Sequence, residues 1–130
     1  MNADKLKYIG ISMIKIMLGI TMAWHGFAKV TDLQGTGQFF ASLGLPTQMA
    51  LMIGLIELIG GLMMIAGVLV PIVALLFVGV LAGAIVTVKL QSGFLNGYEY
   101  ELFLLVVSAG MGLFYADDKY LQRMLAIIRK

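Results

Sequence analysis

The chain has 130 residues, 61% of them hydrophobic and only 12% charged, against about 25% charged in soluble domains. A soluble domain this short buries only about two-thirds of its surface, so this much apolar side chain needs lipid around it. With no cysteine, a disulfide, a thiolate nucleophile and a cysteine-held zinc or iron–sulfur site are excluded; the net charge of only +2, its excess at the chain ends, speaks to membrane orientation rather than nucleic acid.

The first apolar stretch covers residues 8–28. It reads as a membrane helix and not a cleaved leader, because Lys15 interrupts it and no small-x-small cleavage site follows. The connection over 30–46 holds an apolar piece at 38–43, too short to span and expected at the interface or folded back over the helices. The second stretch covers 47–69. Only Val70-Pro71 separates it from the third, at 71–88, which makes the two an antiparallel hairpin with Pro71 as a suitable first helical residue. Residues 89–97 lead to the fourth stretch, 98–116. Each approaches the ~20 residues that a ~30 Å hydrocarbon core needs. Lipid offers backbone groups no partner, so helices are the economical solution. The tail 117–130 alternates charged residues with Leu121, Met124, Leu125, Ile127 and Ile128, as an amphipathic helix on the membrane surface does.

The expected fold is therefore an all-α membrane protein, a four-transmembrane-helix bundle forming a single domain over 1–130. Lys5, Lys7, Lys119, Arg123, Arg129 and Lys130 lie outside the stretches, six of the nine basic residues. Their bias places both termini in the cytoplasm.

Ionisable residues within these stretches cost ~2.5–3.5 kcal/mol each on insertion scales and usually face the protein interior. Ser12, Lys15, Gly19, Met22, Gly26 and Lys29 share one face of the first helix. Glu57 shares a face of the second with Gly54, Gly61 and Met64, and Glu101 a face of the fourth with Ser108, Gly112 and Tyr115. Gly79, Gly83 and Thr87 recur at four-residue spacing in the third, as on a close-packing surface. Measured from the outer ends of their helices, Lys15 and Glu57 differ in depth by only ~6 Å, so a Lys15–Glu57 ion pair is expected. His25, Lys29, Lys89, Glu99 and Glu101 gather near the outer face. Each also has a structural reading: packing for Lys15 and Glu57, snorkelling for Lys29, Lys89 and Glu99, an aromatic belt beside Trp24 for His25. The ten methionines read as flexible packing, and one histidine cannot supply both axial ligands of a haem; no metal site is expected.

Several segments together resemble the DoxX family of four-helix membrane proteins. They are His25-Gly26-x-x-Lys29, Phe39-Phe40-x-x-Leu43-Gly44-Leu45-Pro46, Glu57-Leu58-x-Gly60-Gly61-Leu62 with Gly67, and Gly93-Phe94 with Gly97-Tyr98-Glu99. The resemblance runs from Lys15 to Leu105. Lys15 stands where the family often has Arg, which keeps the charge but not the fork of donors. The family's closing Gly-x-Gly-x-x-Ser-Leu-Asp is echoed only by Gly110-Met111-Gly112 and Asp117-Asp118. The family is similar to the DoxD subunit of a thiosulfate:quinone oxidoreductase. The resemblance implies quinone-linked redox and oxidative-stress roles. Lacking cysteine, the chain would serve them by holding a quinone or docking a redox partner protein.

The expected function is a cell-membrane subunit that holds a quinone-like or other small amphipathic molecule between its helices. His25, Lys29, Glu57 and Glu101 are the candidate ligand-binding residues. The pocket is expected in the outer half, between the first, second and fourth helices, partly roofed by the 30–46 connection. The alternatives are a small-solute carrier with Lys15 and Glu57 on its pathway, and a non-catalytic assembly partner. Homo-oligomers fit any of these readings.

Overall fold

The computed structural model describes residues 2–129; Lys130 and the side chains of Asp118, Leu121 and Met124 lie outside the described residues. All described secondary structure is helical. The order is α1 (Ala3–Val30), α2 (Leu33–Ser42), α3 (Met49–Ala66), α4 (Val70–Ala84), α5 (Glu99–Tyr115) and α6 (Asp118–Ile128). Among the described residues, three helical runs are long and apolar enough to cross a membrane: Ala3–Val30, Met49–Ala66 and Val70–Ser92.

The ends of these helices follow from local chemistry. α1 begins five residues earlier than hydropathy suggests, because the Asn2 side chain accepts the Lys5 N–H at 2.9 Å and caps a polar first turn. α2 fills the first connection, and its Asp32 cap accepts the Gly35 N–H at 3.0 Å. α3 stops at Gly67, whose φ of 77° is the left-handed conformation that glycine adopts without a Cβ penalty. α4 does not end at Ala84. It widens into a π-helical turn over Ile85–Lys89 and a tight 3₁₀ turn over Leu90–Ser92. A second π-helical turn, Phe94–Tyr98, leads into α5.

Packing is closest between α1 and α3. A Cβ on Gly61 would lie 2.5 Å from the Ala23 nitrogen, and one on Gly26 would lie 2.5 Å from the Gly54 oxygen. Only glycine permits backbones this near, the usual device for joining helices in lipid. α4 lies on α5, where a Cβ on Gly112 would touch that of Ala74 at 3.0 Å. α3 meets α4 near their shared hairpin, with Gly60 against the Phe77 ring. Leu18, Met22, Met64, Val73, Phe77 and Leu104 form part of the core beneath. The apolar surplus points outward: Leu75 is 72% exposed and Leu113 80%, as lipid-facing side chains are. α6 is a helix as expected of the tail, and burial raises the Tyr120 hydroxyl above the usual phenol range.

Candidate ligand cavity and its ion pair

Glu57 is 4% exposed in the middle of α3. Its Oε2 meets Lys29 Nζ at 2.9 Å. This corrects the expected Lys15–Glu57 pair. That expectation set the two helix ends at one height. The register is instead fixed where Gly19 and Gly26 touch Gly61 and Gly54. This puts Glu57 beside the Gly26 turn, about ten residues and ~15 Å along α1 from Lys15. Lys29 stands one turn beyond Gly26 and reaches back.

Lys15 has a different setting at the opposite end. It is 8% exposed, and its Nζ lies 5.6 Å from the centroid of the Tyr115 ring, within cation–π range. The same ammonium would be 2.9 Å from a Cβ on Gly67. It therefore sits at the C-terminus of α3, where the helix dipole favours a cation.

Beside the Lys29–Glu57 pair lies a cavity of about 660 Å³. α2 roofs it with Phe39 and Phe40, together with its C-cap residue Leu43, and α3 walls it with Met52, Ile53 and Ile56. α4 and its π-helical extension supply Gly79, Gly83, Thr87 and Lys89. The Thr87 hydroxyl is spent on the Gly83 carbonyl at 2.7 Å. The polar end is thus Lys29, Glu57 and Lys89 on otherwise apolar walls. α3 and α4 touch at Gly60 and Phe77 but part further from the hairpin, where Cβ atoms on Gly79 and Gly83 would meet nothing within 4 Å. These glycines open a space and do not form the close-packing surface that their spacing suggested.

Lys29 and Glu57 line this cavity; His25 and Glu101 do not. The third wall is α4, the third apolar stretch, and not the fourth as expected. His25 is exposed on α1, and its Nε2 lies 3.2 Å from the Tyr100 hydroxyl on α5. Glu101 approaches Lys89 at 3.8 Å, too long for a hydrogen bond. Its Oε2 is buried with no partner among the described residues. No group of three or more His, Cys, Asp or Glu among the described residues is placed to hold a metal ion.

The DoxX family model matches residues 10–90, which include Lys29, Glu57, the α2 roof and Lys89. The chain belongs to the DoxX family. It is similar to the "Putative oxidoreductase CatD" of Bacillus subtilis, 42% identical over 105 residues that cover 81% of this chain and 78% of that protein. It is also similar to the "Inner membrane protein YqjF" of Escherichia coli, 30% identical over 109 residues and 82% of each chain. No solved structure matches it. The family and its apolar helices make it a membrane protein.

In the sequence of this DoxX protein Lys89 falls among the outer-face residues that could ring a common pocket, though not among the four candidate ligand-binding residues. The available signal was positional. Gly79 and Gly83 on α4 share a stripe with Thr87, and the π-helical turn that holds Thr87 brings Lys89 to the same cavity.

Proposed function

We propose that this DoxX protein crosses the bilayer four times, with both termini and the α3–α4 hairpin in the cytoplasm, and holds a quinone-like amphiphile in the cavity at the outer end. Hydropathy and the basic residues at the chain ends support the topology. The 17 residues of α5 rise about 26 Å, close to the hydrocarbon thickness.

The cavity carries the reading: apolar walls end at a partly buried 2.9 Å Lys29–Glu57 pair. Its volume of about 660 Å³ falls in the range of small-molecule sites. Rings and an isoprenoid tail fit against Phe40, Met52 and Ile56. The Lys29 ammonium has three donors, of which Glu57 takes one, so a quinone carbonyl can take another. Glu57 holds the ammonium in place. Without cysteine, the chain positions the quinone, and a redox partner protein supplies the electrons. The word oxidoreductase in the name of the Bacillus relative accords with this role.

The test is binding of a short-chain quinone to the purified protein in detergent. Micromolar binding is expected, weakened at least ~10-fold by Gly83→Leu, which places a side chain in the cavity. Absence of binding, or equal binding by the variant, would contradict the proposal.

A further inference from the structure

The lining at the polar end of the cavity is unbalanced in charge. Among the described residues, Lys29 and Lys89 both line the cavity, and Glu57 is the one carboxylate that does. Glu57 is engaged by Lys29 at 2.9 Å, and its side chain is only 6% exposed. Lys89 has only Glu101 nearby, at 3.8 Å and outside the lining. The Lys89 side chain is 42% exposed, so its ammonium is available to an occupant. Glu101 compensates this cation only in part, at 3.8 Å and without a hydrogen bond, so the Lys89 N–H groups remain free for an oxyanion, which low-dielectric walls hold more strongly than water would. A carbonyl oxygen gains less, because charge-assisted hydrogen bonds are about twice as strong as neutral ones.

We infer that the cavity selects amphiphiles bearing one oxyanion at the polar end of an apolar body, and that Lys89 is the residue that reads the charge. This rests on the cavity reading above and sharpens it. The preferred occupant is an ionised hydroxyquinone or another single-chain carboxylate, not an uncharged quinone. Lys29 sets the position of the head group, because Glu57 fixes it. Lys89 sets the preference, because nothing fixes it as firmly. Glu101 sits behind Lys89 and moderates it, so its removal strengthens the preference.

The experiment measures affinity for two matched pairs in detergent. One pair is an alkyl hydroxynaphthoquinone, ionised at neutral pH, and its uncharged methyl ether. The other is oleate and oleyl alcohol. In the wild type the anion of a pair binds at least ~10-fold more tightly than its neutral partner, as a charge-assisted bond implies. A preference confined to one pair names the source of the oxyanion. Lys89→Gln abolishes the difference, and Glu101→Gln enlarges it. Equal affinity for both members of each pair would overturn the inference and leave the quinone cavity standing. An undiminished preference in Lys89→Gln would overturn it too. No binding of any of the four would remove the cavity reading itself.

Discussion

Lys29 and Glu57 meet at 2.9 Å across the closest seam in the molecule, where Gly26 and Gly54 bring α1 and α3 together. The pair is asymmetric. The Lys29 side chain is 24% exposed and can turn toward water, whereas that of Glu57 is 6% exposed and cannot. Removing the lysine therefore strands a buried carboxylate, and removing the carboxylate strands little. Lys29→Met should cost about 3 kcal/mol, and Glu57→Gln about 1 kcal/mol. Denaturation in detergent micelles measures both. Equal losses would show that the carboxylate finds another partner.

The glycines divide into two groups with opposite expected behaviour. Gly26→Ala and Gly61→Ala put a Cβ within 2.5 Å of backbone atoms of the facing helix, so α1 and α3 must separate. A loss of about 2–3 kcal/mol is expected for each, as for overpacked cores. Gly79→Ala and Gly83→Ala meet nothing within 4 Å and should be neutral or stabilising by up to ~1 kcal/mol from helix propensity. Melting temperatures of the four variants, compared side by side, decide the matter. Similar losses in both groups would mean that the cavity is not open.

At the other end of α1, Gly67 is expected to resist substitution on two counts. Its φ of 77° strains any Cβ, and that Cβ would displace the Lys15 ammonium 2.9 Å away. Gly67→Ala should cost about 2 kcal/mol, more than the ~1 kcal/mol of the left-handed backbone alone. In a Lys15→Met background the excess should disappear. A double-mutant cycle read by thermal unfolding gives the coupling, and additivity would place Lys15 elsewhere.

These contrasts also show what the sequence made legible. Charges and glycines are scarce enough in apolar helices to mark buried faces. The stripe Lys15–Gly19–Met22–Gly26 is indeed buried, as is Gly54–Glu57–Gly61–Met64. The shortness of the apolar piece at 38–43 pointed to an element that does not span, and α2 lies there as a roof. The register of α1 on α3 was not legible. It depends on which glycines touch: Lys15 and Lys29 stand about four turns apart on α1, and the register decides which of them meets Glu57. Nor could the spacing of Gly79 and Gly83 separate a packed seam from an open one. Both need small residues, and only the position of Phe77 against Gly60 decides where α3 and α4 part.

Topology supplies a further expectation. Reporter fusions after residue 129 and at the Gly67–Leu69 hairpin should both report cytoplasm, and one placed in α2 should report the opposite side. An external C-terminus with a cytoplasmic hairpin would remove α5 as a crossing; one with an external hairpin would invert the chain and put the cavity on the cytoplasmic face.

The central claim is that the space between α2, α3 and α4 holds a small amphiphile. Native mass spectrometry of protein purified in mild detergent measures this directly. The wild type should carry one additional mass, lost on gentle activation and identifiable as a quinone-like or oxyanion-bearing amphiphile. The Gly83→Leu protein, purified to equal yield, should carry none. The same adduct on both proteins, or ordinary phospholipid alone on each, would contradict the account.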